Sequence, residues 1–270
     1  MKKLIKKMYG SIAKGKTKSC CAPSTCCGSS ASGVSEKIGY TKEELNLIPQ
    51  EADMGLGCGN PVALASLKEG EMVVDFGSGG GIDVFLAAKK VGEKGKVIGI
   101  DMTKEMVEKA QKNAQRGGFK NVEFKLGDIE NIPLQNDIAD CIISNCVINL
   151  AQDKQQVFKE AFRILKRGGR LMITDMVLIA DLPAKILKSA EMYTGCISGA
   201  LNKADYLEKI RNAGFGKITI VKEDPVRLLE YIGSDETIKS IIKNMSDKEI
   251  NAVSNALVSI KISAKKLFSR

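Results

Sequence analysis

The stretch Val73-Val74-Asp75-Phe76-Gly77-Ser78-Gly79-Gly80-Gly81, followed by Val97-Ile98-Gly99-Ile100-Asp101, decides the fold. An apolar strand runs into a glycine loop, a helix follows, and a second strand ends on a carboxylate. This is half of a nucleotide-binding α/β domain. The glycines fall at 77, 79 and 81, whereas a dinucleotide fingerprint needs its third glycine at position 82, where Ile82 stands. Asp75 beside the loop is a poor neighbour for a pyrophosphate and a good one for a cation. S-adenosylmethionine carries an ammonium and a sulfonium and no phosphate, so it is the expected cofactor. Gly77, Ser78, Gly79 and Gly81 would cradle it, and Asp101 would accept both ribose hydroxyls.

Outward from this unit the pattern alternates. Strands are expected at 72–76, 96–101, 122–126, 139–145 and 170–178, and helices at 82–91, 104–116 and 153–166. Such alternation implies an α/β fold, a doubly wound, mostly parallel sheet with helices on both faces. Helices near 182–190 and 203–213 and an edge strand at 217–223 complete it. Ligands bind at the carboxyl ends of such strands. One wall therefore comprises Asp75 to Gly81, Asp101-Met102, Gly127-Asp128-Ile129 and Asn145-Cys146. Asp128 and Ile129 would lie near the adenine, and Asn145 beside the reacting end of the cofactor.

The chain divides into a Cys- and Lys-rich arm (1–40), a cofactor-binding core with N-terminal helices (41–180), a helical segment with the last strand (181–224) and a helical C-terminal extension (225–270). Within the arm, 1–35 reads as irregular. Thr41 with Glu44, and Ser246 with Glu249, form capping boxes that start helices.

The net charge of +9 is local, because Lys2, Lys3, Lys6, Lys7, Lys14, Lys16 and Lys18 supply seven positive charges with no acid among them. A solvated arm on a nearly balanced body is expected, with neither nucleic acid nor membrane as partner. The chain has no Trp, which leaves base stacking little to work with. There is no apolar run for a bilayer and no secretory h-region, so the cytoplasm and a monomer are the expectations. There is also no His, so any chemistry needs no base or finds one in a carboxylate, Lys, Tyr or Cys.

Eight cysteines in such a chain argue for catalytic or metal-type use rather than a disulfide framework. Cys141, inside an apolar strand, reads as packing. Cys58 lies in Gly55-Leu56-Gly57-Cys58-Gly59-Asn60-Pro61, Cys146 at the end of the fourth strand, and Cys196 in Thr194-Gly195-Cys196-Ile197-Ser198-Gly199. The arm adds Cys20-Cys21 and Cys26-Cys27, weak as a metal motif and also readable as a redox pair.

The segments around Cys58 and Cys196, together with Gly99-Ile100-Asp101-Met102-Thr103 and Ser144-Asn145-Cys146-Val147-Ile148-Asn149-Leu150, closely resemble the arsenite S-adenosylmethionine methyltransferases. The likeness runs from about Lys7 to at least Phe215. It implies that Cys58, Cys146 and Cys196 bind As(III), with Cys26 or Cys27 as the mobile N-terminal cysteine. As(III) is thiophilic and keeps a lone pair when three thiolates bind it. That lone pair can attack the sulfonium methyl with no proton to remove, so the missing histidine is no handicap. Alignment then becomes the main task, worth roughly 7–11 kcal/mol. Formal As(V) could be reduced by a protein thiol pair, the arm cysteines being candidates, and an external thiol of thioredoxin or glutathione type would reopen the disulfide. The alternatives are a class I methyltransferase for another small molecule, and a non-catalytic thiol-based metalloid-binding protein.

Overall fold

The structure is a computed structural model that describes residues 1–15, 32–187, 192–193, 196–226 and 245–267. Strands β1 (Met72–Phe76), β2 (Lys96–Asp101), β3 (Val122–Leu126), β4 (Ala139–Asn145), β5 (Leu165–Leu178), β6 (Gly216–Pro225) and β7 (Leu257–Lys265) form one sheet. Its order is β3-β2-β1-β4-β5-β7-β6. The first five strands pair in parallel, and β7 runs antiparallel to both β5 and β6. The doubly wound fold class is as expected.

Helices follow the same chain order: α1 (Lys2–Ala13), α2 (Ser32–Lys37), α3 (Lys42–Asn46), α4 (Pro61–Leu64), α5 (Ile82–Val91), α6 (Lys104–Arg116), α7 (Lys154–Ile164), α8 (Ala184–Leu187), α9 (Lys203–Asn212) and α10 (Asp247–Ala256). Local chemistry sets their limits. Both capping boxes close, Thr41 onto Glu44 and Ser246 onto Glu249. Gly81, at φ 100°, lets the chain turn from the loop into α5, and Gly92, at φ 68°, ends that helix. Asp153 caps α7 by accepting from the Gln156 N–H.

The pleat divides the core. Val74, Phe76 and Ile142 point to the layer that holds Phe158 and Tyr206, while Val73, Cys141 and Ile143 face Phe85 and Phe124 on the other side. Each such fully buried side chain is worth about 1.5–3 kcal/mol of transfer free energy. Cys141 is wholly buried, and that burial pushes its thiol up to about 12.

Two expectations about organisation fail. The helical C-terminal extension holds α10, but Leu257–Lys265 is a strand inserted between β5 and β6. Val258, Ile260, Ile262 and Ala264 are buried on one face, a period of two that a sheet accepts and a helix does not. The boundaries at 181 and 225 therefore cut through a single sheet. The arm also does not begin as irregular chain. Ile5, Gly10 and Ile12 bury one face of α1, which lies against α6. Lys14 Nζ pairs with Glu105 of α6 at 2.7 Å, and Lys2 Nζ pairs with Asp128 at 2.7 Å and Glu130 at 3.0 Å in the segment after β3. The cysteines at 20, 21, 26 and 27 lie outside the described residues.

Candidate functional site

A cleft opens at the carboxyl ends of β1 to β4 and holds about 1050 Å³ of empty space, its open mouth included. That is the scale of a site for a nucleoside-sized ligand. Its lining includes Asp75, Gly77, Ser78, Gly79, Asp101, Met102, Asp128, Ile129 and Asn145, all expected from the sequence. Gly81 is the exception. A Cβ there would sit 2.6 Å from the Phe85 ring, so this glycine serves the turn and the packing behind the loop. Gly77 stands at φ 71°, and a Cβ on it would lie 2.5 Å from the Val147 side chain, so no larger residue fits there. At Gly79 a Cβ would meet nothing within 4 Å, so this loop residue leaves open space beside it.

Carboxyl groups dominate the electrostatics. Asp75 is 2% exposed, and burial, with the charges of Asp83 and Asp101, raises its pKa well above the usual range. Burial pushes Asp83 up to about 6, against hydrogen bonds from Asn145 and Tyr40. Asp101 is also raised by burial, although its carboxylate accepts N–H bonds from Gly79 at 3.0 Å and Thr103 at 2.8 Å. Among the described residues Lys2 is the one basic side chain lining the cleft, and it is already paired with Asp128 and Glu130. Burial raises Asp128, but the Lys2 and Glu130 hydrogen bonds outweigh it and hold this carboxyl below its ordinary value. A cleft of protonatable acids with no spare cation suits a positively charged ligand and disfavours a phosphate. The residues present thus fit S-adenosylmethionine.

At the cleft's inner end the cysteines gather. Cys58 and Cys146 are joined as a disulfide, with Cα atoms 5.8 Å apart. From the sequence these two are expected as As(III) thiolates and the arm cysteines as candidates for a redox pair. The arm cysteines lie outside the described residues, while Cys58 and Cys146 are themselves paired, the Cys58 loop being held to the end of β4 through Asn145. Cys196 packs in the same apolar cluster, and its Sγ lies 2.9 Å from the Cys146 carbonyl oxygen. The structure thus brings all three together while bonding two. Cys146 at φ 57° and Cys196 at φ 63° both adopt the left-handed region, which costs a non-glycine residue about 1–3 kcal/mol and concentrates at functional sites.

The Cys58 peptide is gripped from two sides. Its N–H donates to Asn145 Oδ1 at 3.0 Å, and its carbonyl accepts from Ser259 Oγ on β7 at 3.1 Å. The flanking glycines are needed here. A Cβ on Gly57 would approach Asn145 Nδ2 to 2.7 Å, and one on Gly59 would collide with Thr174. Asn145, expected beside the cofactor, does line the cleft, and its hydrogen bonds run to the cysteine loop and to Tyr40 and Asp83.

Several site groups escaped the sequence reading. Asp175 is fully buried on β5, with a carboxylate oxygen within 4.8 Å of both the Cys58 and Cys146 sulfurs. Burial pushes its pKa up to about 7, opposed by bonds from the Met176 N–H and Tyr206. Asn149 Nδ2 also donates to it at 2.8 Å, and a Cβ on Gly199 would strike the Asn149 carbonyl. An acid inside the apolar run Leu171-Met172-Ile173-Thr174-Asp175-Met176-Val177 was the available signal. Tyr40 and Asp83, which bond each other at 2.8 Å, gave none beyond burial of their neighbours.

Comparison with known proteins agrees with this geometry. A family described as a methyltransferase domain matches residues 67–214. The arsenite methyltransferase of Halobacterium salinarum is 43% identical over 205 residues, covering 76% of this chain and 51% of that protein. The human arsenite methyltransferase is 37% identical over 186 residues, covering 65% of this chain and 49% of the relative. The chain thus spans about half the length of these curated relatives. The crystal structure of an arsenic(III) S-adenosylmethionine methyltransferase from Chlamydomonas reinhardtii superposes with a TM-score of 0.64 at 28% identity, covering 89% of this chain and 75% of that one. On its fold, its glycine loop and the match over residues 67–214, the chain belongs to the methyltransferase-domain family, and its sequence is similar to arsenite methyltransferases.

Proposed function

We propose that this protein transfers the methyl group of S-adenosylmethionine to As(III). The observation that carries this reading is Cys146, which lines the cofactor cleft and is bonded to Cys58 behind it. A thiophilic atom held by these sulfurs is delivered to the wall where the cofactor's reacting end would lie. When bound, the cofactor supplies an electrophilic methyl on a cationic sulfur. Asp75 and Asp101 neutralise that cation's surroundings, and the glycine loop admits its close approach. Cys58, Cys146 and Cys196 hold As(III) as thiolates and leave its lone pair toward the cleft. The apolar packing around them, with Ile5, Leu150 and Met176, keeps water away.

The disulfide sets the entry condition. An external dithiol, or two monothiols, must reduce Cys58–Cys146 to two thiols, itself becoming a disulfide. We assign that role to a thiol of thioredoxin or glutathione type. No helix among the described residues is long and apolar enough to cross a membrane.

The test is arsenic speciation by chromatography with mass detection, using reduced protein, As(III), S-adenosylmethionine and a thiol. Methylarsenicals from the wild type, and none from Cys146→Ser with intact S-adenosylhomocysteine binding, are expected. As(III) binding without methylated product would make the protein a metalloid binder instead. Full activity of Cys146→Ser would remove this residue from the reaction.

A further inference from the structure

The hydrogen bonds behind the cleft single out a residue with no assigned role. Tyr40 is 3% exposed, and its hydroxyl donates to Asp83 Oδ1 at 2.8 Å and accepts from Asn145 Nδ2 at 2.9 Å. With its one proton committed to Asp83, the hydroxyl can only accept from Asn145. The two amide hydrogens of Asn145 are shared among the Tyr40 hydroxyl, the Gly59 carbonyl at 2.7 Å and, at the longest distance, Asp83 Oδ2 at 3.1 Å, while its Oδ1 takes the Cys58 N–H. This arrangement fixes which way the amide faces. A flipped Asn145 would oppose its NH2 to the Cys58 N–H and its oxygen to the Gly59 carbonyl and the Asp83 carboxylate. Tyr40 and Asp83 therefore hold the one orientation in which Asn145 grips the peptides on both sides of the Cys58 sulfur. Tyr40, Asp83 and Asn145 all line the cofactor cleft as well.

We propose that Tyr40 is a positioning residue that acts through Asn145 on the Cys58 backbone and so aims the arsenic-bearing sulfur at the cofactor cleft. The proposal rests on the reading of the site as an arsenite methyl-transfer centre. Its physical basis is that positional error is costly, since a shift near 1 Å can lose about 100-fold in rate.

Tyr40→Phe keeps the buried ring and deletes the hydroxyl. Under saturating As(III) and S-adenosylmethionine, its kcat is expected to fall about tenfold or more, while affinities for As(III) and S-adenosylhomocysteine stay within about threefold of wild type. Asn145→Asp keeps the acceptor for Cys58 and loses the amide donor, and should also lower kcat. If Tyr40 works through Asn145, adding Tyr40→Phe to Asn145→Asp brings little further loss. An unchanged kcat in Tyr40→Phe, or losses that multiply in the double variant, would overturn the proposal. So would a collapse of both affinities together with thermal stability, which marks a merely structural residue.

A second measurement does not need turnover. Reduced Cys58 and Cys146 close to a disulfide when diamide accepts their two electrons and two protons. Tyr40→Phe should slow this closure several-fold, and equal rates would contradict the positioning role. Wild-type protein that makes no methylarsenical would refute the methyl-transfer reading, and the closure rate would still decide the role of Tyr40.

Discussion

Asp175→Asn probes the least expected group in the molecule. The carboxyl is fully buried on β5, within 4.8 Å of the Cys58 and Cys146 sulfurs. Its folded pKa is about 7, against an ordinary value of 3.8. A tenfold change in proton affinity corresponds to about 1.4 kcal/mol, so the buried charge costs the fold up to about 4 kcal/mol once it is fully ionised. Because the folded pKa is the higher one, the stability is present in full below about pH 4 and is lost as pH rises through about 7. Asparagine is nearly isosteric and cannot ionise. Its carbonyl can still accept from Asn149 and from the Met176 N–H, while its amide can donate to the Tyr206 hydroxyl. The stability of wild type minus variant should therefore fall by about 3 kcal/mol between pH 5 and pH 8. Urea unfolding would be followed by far-ultraviolet circular dichroism, because the chain has no Trp to report by fluorescence. Both proteins must be oxidised at Cys58–Cys146 throughout. A difference constant with pH to within about 0.5 kcal/mol would show that Asp175 is not a strained acid, and the reasoning from burial would fail.

Two further outcomes follow from the geometry. Gly59→Ala, whose Cβ would collide with Thr174, should destabilise the protein by about 1–3 kcal/mol, because backbone pinned by Asn145 and Ser259 has nowhere to retreat; a melting temperature equal to wild type would show the loop to be looser than this. Lys2→Ala removes the paired cation from Asp128 and Glu130 and should lower hydrogen-exchange protection across residues 5–12 by a few-fold, in line with about 1 kcal/mol for a half-exposed pair. Unchanged protection would mean that Ile5 and Ile12 hold α1 in place without the ion pairs.

The cofactor half of the site was legible because its signals are local. A glycine must stand where φ is positive, and an acid must end a strand, so Gly77 to Gly81 and Asp101 announce themselves within a few residues. The sulfur half was legible only as a set of cysteines in unusual loops. Its pairing was not, because Cys58 and Cys146 are 88 residues apart and nothing local links them. Tyr40 was silent for a related reason, since its partner Asp83 is distant in the chain. Asp175 showed only as an acid inside an apolar run, with nothing local to tell that Tyr206 and the two sulfurs surround it. β7 was different. Its alternation was plain in Val258-Ser259-Ile260-Lys261-Ile262-Ser263-Ala264, and a helix reading carried over from the capping box at Ser246 hid it.

The position of β7 has a bearing on the life of the nascent chain. It lies between β5 and β6 in space but leaves the ribosome after both. Until it emerges, β5 shows an open edge and β6 has no partner strand, the condition in which strands pair with the wrong neighbour. Ser259 rides on this last strand and reaches back 201 residues to the Cys58 carbonyl. The sulfur loop made early in synthesis therefore lacks one of its two anchors until β7 has followed. The backbone that frames the Cys58–Cys146 pair would be complete only once the closing strand has paired.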